Sequence, residues 1–150
     1  MAATTLSSVT AGPGRSPDRT PALREAAASE AAVPALRHFA AETARGWDVP
    51  PEAVDRLVLV VSELVTNVVQ HSGSADVSVA IEYDGGSLVV EVRDSGTWRS
   101  RWAARDVAEG AATAGQGLEL VRHSSTWWLA FPSPAGTRVV ASLAVEPAAG

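Results

Sequence analysis

The apolar residues of this chain change period once, abruptly, and that change limits the folds open to it. Within Pro51 to Gln70, the residues Val54, Leu57, Val58, Val61, Leu64, Val65 and Val68 recur at i, i+3, i+4, i+7, the spacing of a helix with one apolar face. From Val77 the period is two: Val77, Val79, Ile81 and Tyr83 alternate with Ser78, Ala80 and Glu82. "DGG" then turns the chain, and Leu88, Val90 and Val92 alternate with Val89, Glu91 and Arg93, the pattern of a β-hairpin. Upstream, "PALRHFAAETARGW" reads as a helix with Pro34 in its first turn, its end at Gly46, and a stripe of Leu36, Phe39, Ala40 and Thr43. Downstream, "LELVRH" reads as a short helix, and "STWWLAF" and "TRVVASLAV" as strands joined by "PSPAG". This order predicts an α+β fold: a two-layer sandwich with helices on one face of a mostly antiparallel sheet.

Two stretches fall outside the pattern. Residues 1–28 are rich in Ala, Ser, Thr, Pro and Gly and poor in large apolar side chains, so they are expected to form a disordered tail before a domain at 29–147. Asp94 to Gly117 holds six Ala and four Gly without a clear period, and a connection of that length predicts a lid or binding loop. Trp47 and one of Trp127 and Trp128 are expected in the core, whereas Trp98 and Trp102, in the lid, suit a partner surface.

Composition removes several functions. The net charge is −5, which argues against a nucleic-acid surface. Without Cys, and with only three scattered His, neither disulfides nor a zinc cluster are available. Asp55, Arg56, Glu63 and Asn67 interrupt the longest apolar stretch, and the N-terminus lacks a basic start followed by an apolar core. No membrane span or signal peptide is expected, and the protein is read as soluble and cytoplasmic. All 12 basic residues are Arg, so any phosphate must be met by Arg, backbone N–H groups or a metal ion.

Within the apolar helix, "SELVTNVVQHS" carries Glu63, Asn67 and His71 at intervals of four, a narrow polar stripe that Arg56 and Val60 continue backwards. Solvated helix faces favour Lys, Arg and Glu, while Asn is a poor helix former in mid-helix. Asp94 and Gly96 stand where a strand ends, in "VRDSGTW". A carboxylate only accepts hydrogen bonds, so in a pocket it selects an exocyclic amino group over a carbonyl. In "AGQGLELV", Gly115 and Gly117 precede a short helix, where backbone N–H groups can approach phosphate.

Together, "ELVTNVVQH", "DSGTW", "GQGLELV" and the closing Gly136-Thr137 resemble the boxes of the Bergerat ATP-binding fold of gyrase, Hsp90, histidine kinases and MutL. They are most similar to those of the stand-alone anti-sigma-factor serine kinases of bacteria. The resemblance spans about Val33 to Val145. It implies ATP and Mg²⁺ as cofactors, with Asn67 as the metal ligand. It implies that Asp94 binds the adenine amino group with Thr137 in support, that Gly96 gives the chain freedom to turn against the base, and that Gly115, Gly117 and Leu118 present backbone to the phosphates. Glu63 is implied as the general base, and His71 is left as structural. The implied partners are an anti-anti-sigma protein and a sigma factor; the resembled kinases are usually dimers, and the sequence leaves the assembly, homodimer or not, open. Two positions depart from the pattern: Trp98 replaces the second glycine of the second box, and the lid contains no Lys, leaving Arg99, Arg101 and Arg105 as its cations. The alternative to a kinase is a module that binds ATP, or has lost it, and regulates a partner by occupancy without phosphoryl transfer.

Overall fold

A computed structural model of the chain describes residues 21–96 and 121–146. These form a five-stranded antiparallel sheet in the order β1-β2-β3-β5-β4. The strands are β1 (Ala22–Ala27), β2 (Asp76–Tyr83), β3 (Ser87–Asp94), β4 (Trp127–Ser133) and β5 (Gly136–Ala144). Helices α1 (Ala32–Gly46) and α2 (Pro51–Asn67) lie between β1 and β2 in sequence and pack on one face of the sheet. The α+β sandwich expected from the change of period is the architecture found.

Helix α2 starts at Pro51, where the missing N–H and fixed φ of proline suit a first turn, and Glu52 stands in that turn. Most of its apolar arc is buried, with Val58 only partly so: Leu57, Val60, Val61 and Val65 are 0% exposed and Leu64 is 2% exposed. They meet Val77, Val79 and Ile81 of β2, Val90 and Val92 of β3, and Ala141 and Leu143 of β5 in a single core. Leu36 and Ala40 of α1 join that core from the predicted stripe. Leu57→Ala is expected to destabilise the domain by about 2–5 kcal/mol, read as a lower denaturation midpoint with an unchanged denaturant slope.

Past Asn67 the backbone does not stop but widens into one π-helical turn, Val68–Ser72, closed by Gly73 at φ 70°. The expected end at Gln70 falls inside this turn. The β2–β3 hairpin closes on Asp84, whose Oδ1 accepts N–H bonds from Gly86 and Ser87, both at 2.8 Å. Partial burial pushes the Asp84 carboxyl up, but these bonds, with the Ser87 hydroxyl, outweigh it and leave the group below its ordinary value.

One expectation is corrected. Ala22–Ala27 lies in the stretch read as a disordered tail, yet it forms β1, in register with β2 from Ala22↔Ile81 to Ala27↔Asp76. "ALREAA" has neither alternation nor β-branched residues, and Leu23 remains 52% exposed, so burial left no mark in its sequence. The strand exists because the backbone edge of β2 supplies hydrogen-bond partners, a tertiary cause. Residues 1–20 lie outside the described residues. Trp47 and Trp128 pack against the core as expected, Trp47 stacking on Tyr83 at 6.5 Å, whereas Trp127 is 44% exposed. Trp98 and Trp102 lie outside the described residues.

Candidate active site

Three pieces of chain converge at one end of the sheet: the end of the α2 path, the end of β3, and the start of β5. Glu63 and Asn67 stand one turn apart on α2, both partly buried at the margin of the core. The stripe read from the sequence is shorter than expected at both ends. Val60 is wholly core. His71 falls within the π turn, where the repeat is longer than in an α-helix, so four residues no longer complete a revolution. It is exposed while Glu63 and Asn67 are not.

Asp94 ends β3, paired in register with Val77 on one side and Thr137 on the other. Strand alternation puts the side chains of Asp94 and Thr137 on the same face as Val92 and Val139, the face that carries the helices. Both residues are buried, at 7% and 5% exposure. Asp94 Oδ1 accepts the Gly96 N–H at 2.9 Å, which turns the chain sharply after the strand.

Two glycines press this turn from opposite sides. A Cβ on Gly96 would come within 2.6 Å of Ser74 N and closer still to the Ser72 carbonyl oxygen. A Cβ on Gly136, whose φ is 141°, would overlap the Asp94 carbonyl oxygen and stand 2.8 Å from Ser95 Cα. The Asp94–Gly96 turn is thus held in backbone contact with the end of the α2 path and with the start of β5. The structure brings Asp94, Gly96 and Thr137 together with Ser72 and Ser74, which follow the helix that carries Glu63 and Asn67. Gly115, Gly117 and Leu118, with lid residues Arg99, Arg101 and Arg105, lie outside the described residues.

A cavity of about 570 Å³ opens at the same end of the sheet, but on the face away from the helices. Arg93, Phe131 and Arg138 line it together with Asp94, Gly136 and Thr137, whereas Glu63 and Asn67 do not. Arg138 lies over the Phe131 ring at 4.6 Å and, with Arg93, flanks the buried Glu91 carboxylate at 3.4 and 3.8 Å. Those arginines are engaged by Glu91, and the cavity meets the Asp94–Thr137 pair from the side opposite the helix that carries Asn67.

Residues 26–142 match the protein family described as the histidine kinase-like ATPase domain. The chain belongs to this family. As a histidine kinase-like ATPase domain it shares its fold with a chain of the SiaB-SiaC complex from Pseudomonas aeruginosa: TM-score 0.65 and 15% identity, over 81% of this chain and 88% of that one. It also resembles the histidine kinase AdeS of Acinetobacter baumannii: TM-score 0.50 and 12% identity, over 84% of this chain and 70% of that one. At these identities the likeness is one of fold. Comparison with curated proteins finds no match.

The family implies a bound ATP, and the residues present suit one. The Asn67 side-chain Nδ2 is buried and has no hydrogen-bond partner among the described residues. An orphaned buried polar group is destabilising by about 1–3 kcal/mol, so it marks a place where a partner rich in oxygen would be welcome. Among the described residues no cluster of His, Asp and Glu could hold a metal by protein ligands alone. A single amide oxygen suits a cation that keeps waters and phosphate oxygens as its other ligands. No helix among the described residues is long and apolar enough to cross a membrane.

No expectation from the sequence falls on Ser72 or Ser74. The signal was present: two hydroxyls either side of a glycine, directly after the polar helix.

Proposed function

We propose that this ATPase domain is a protein serine kinase that uses ATP and Mg²⁺ to phosphorylate a small anti-anti-sigma-type protein and, in its other state, holds a sigma factor. The observation that carries this reading is the packing of Ser72 and Ser74, which follow the helix bearing Glu63 and Asn67, against the turn that bears Asp94. Asp94 would accept a hydrogen bond from the adenine amino group, and Thr137, its cross-strand neighbour, would support that contact. Gly96 would keep the turn tight enough to lie flat on the base. Asn67 would hold Mg²⁺ through its amide oxygen; the ion, when bound, neutralises phosphate charge. Gly115, Gly117 and Leu118 would present backbone N–H groups to the phosphates. Glu63 would take the proton of the attacking serine hydroxyl on a carboxylate oxygen.

The partner part of the proposal is supported by the fold shared with a chain of the SiaB-SiaC complex, which is itself a two-protein assembly. A homodimer and a cytoplasmic setting belong to the same reading. The alternative, a nucleotide-responsive binding module without phosphoryl transfer, is favoured by one observation: Trp98 stands where the second box has a glycine.

Incubation with labelled ATP, Mg²⁺ and candidate antagonist proteins separates the two. Label appearing on a serine of the partner supports the kinase; ATP binding with no transfer to any partner supports the module. Asn67→Ala and Asp94→Ala are each expected to weaken ATP binding by at least about tenfold, measured by calorimetric titration, because each removes a group that contacts ligand directly. Unchanged binding in both variants would remove the assigned site.

A further inference from the structure

We propose that Ser74 is a positioning residue that sets the adenine-recognising turn at a fixed distance from the helix carrying Asn67; this rests on the nucleotide-site reading above. A line of hydrogen bonds runs between the two. The Val68 carbonyl, directly after Asn67, accepts the Ser72 hydroxyl at 2.9 Å. Ser72 Oγ in turn accepts the Ser74 N–H at 3.0 Å. Ser74 Oγ then accepts the Ser95 N–H at 3.0 Å, and the next amide, Gly96, donates to Asp94 Oδ1 at 2.9 Å. Ser74 is thus the point where the α2 path is joined to the Asp94 turn.

A hydroxyl has one hydrogen and two lone pairs, and here all are engaged. The hydrogen goes to the Asp76 carbonyl at 2.5 Å, fixing the oxygen against the start of β2. The lone pairs face the Ser95 N–H and, at 3.0 Å, the Ser95 hydroxyl, with the Asp76 N–H more distant at 3.3 Å. Ser74 is only partly buried and lies outside the apolar core, so a packing role does not account for it. Gly96 has no room to slide, because Ser72 and Ser74 backbone atoms stand where its Cβ would be. Losing the Ser74 oxygen therefore removes both hydrogen bonds that it makes to Ser95 in the turn and leaves the steric contacts at Gly96 in place.

The test compares Ser74→Ala and Ser74→Thr with the wild-type chain, measuring ATP, GTP and inorganic tripolyphosphate binding. Ser74→Ala is expected to weaken ATP binding about tenfold and to narrow the preference for ATP over GTP by a similar factor. Tripolyphosphate, which lacks a base, is expected to bind within about twofold of wild type. Ser74→Thr, which keeps the hydroxyl, is expected to restore the preference. Wild-type ATP and GTP affinities in Ser74→Ala, or an equal loss for tripolyphosphate, would overturn the inference. A wild-type chain that binds no ATP would instead overturn the nucleotide reading itself. Amide exchange of the wild-type chain gives a check that does not depend on any variant folding. The Ser95 N–H is expected to be protected, and exchange at the rate of an unstructured amide would overturn the role of Ser74.

Discussion

Glu63→Ala is expected to slow phosphoryl transfer to a partner serine by about 10²–10⁴-fold while ATP affinity stays within about twofold of wild type. The asymmetry follows from the role. A general base touches the proton of the nucleophile and is needed only as the hydroxyl attacks, so its removal acts on the rate and not on the bound nucleotide. Asn67, one turn away on the same partly buried helix margin, is assigned to ligand binding, so its loss should appear in affinity. Single-turnover transfer from labelled ATP, paired with calorimetric titration, reads the two quantities separately. Equal losses of rate and affinity in Glu63→Ala would assign the carboxylate to binding.

Gly136→Ala is expected to be among the most damaging single changes in the domain, destabilising it by about 3 kcal/mol or more. Two effects add. A φ of 141° is a region that side chains avoid, and the new methyl would be driven into the Asp94 carbonyl oxygen, a backbone atom that cannot rotate away. Gly85 provides the contrast. It also has positive φ, at 96°, but nothing lies within 4 Å of its Cβ position. Gly85→Ala should therefore carry only the conformational term, about 1 kcal/mol. Urea unfolding of the two variants beside the wild type checks the ranking. Comparable losses would mean that the contact between β5 and Asp94 is looser than described.

The core and the helix-on-sheet layering were open to reading because they rest on periodicity. Val54 to Val68 and Val77 to Val92 each repeat one spacing long enough to exclude the alternative, and their apolar arcs are the ones buried. The candidate site was visible as residue types: an acid and an amide one turn apart, then an acid and a glycine at a strand end. What could not be read was whatever depends on atoms distant in sequence. β1 is a strand because of the edge it joins, not because of "ALREAA". The π turn shows in no spacing rule, and it is what moves His71 out of line with Asn67. The squeeze on Gly96 and Gly136 appears only once Ser72 and Asp94 are placed beside them. Ser74 was visible as a hydroxyl beside a glycine, but its link to Ser95, 21 residues further on, was not.

The sheet order carries a kinetic consequence. β2 and β3 form one hairpin and β4 and β5 another, and the two are stitched together by β3 against β5, from Ser87↔Ala144 to Asp94↔Thr137. Each hairpin can nucleate locally, so the seam between them, which joins strands separated by a long excursion of chain, is expected to form last in refolding. The entropy of that closure rises only with the logarithm of length, about 0.6 kcal/mol for each doubling. Relatives with much longer or shorter connections between β3 and β4 should therefore refold at similar speeds, leaving that segment free to vary without hindering assembly of the domain.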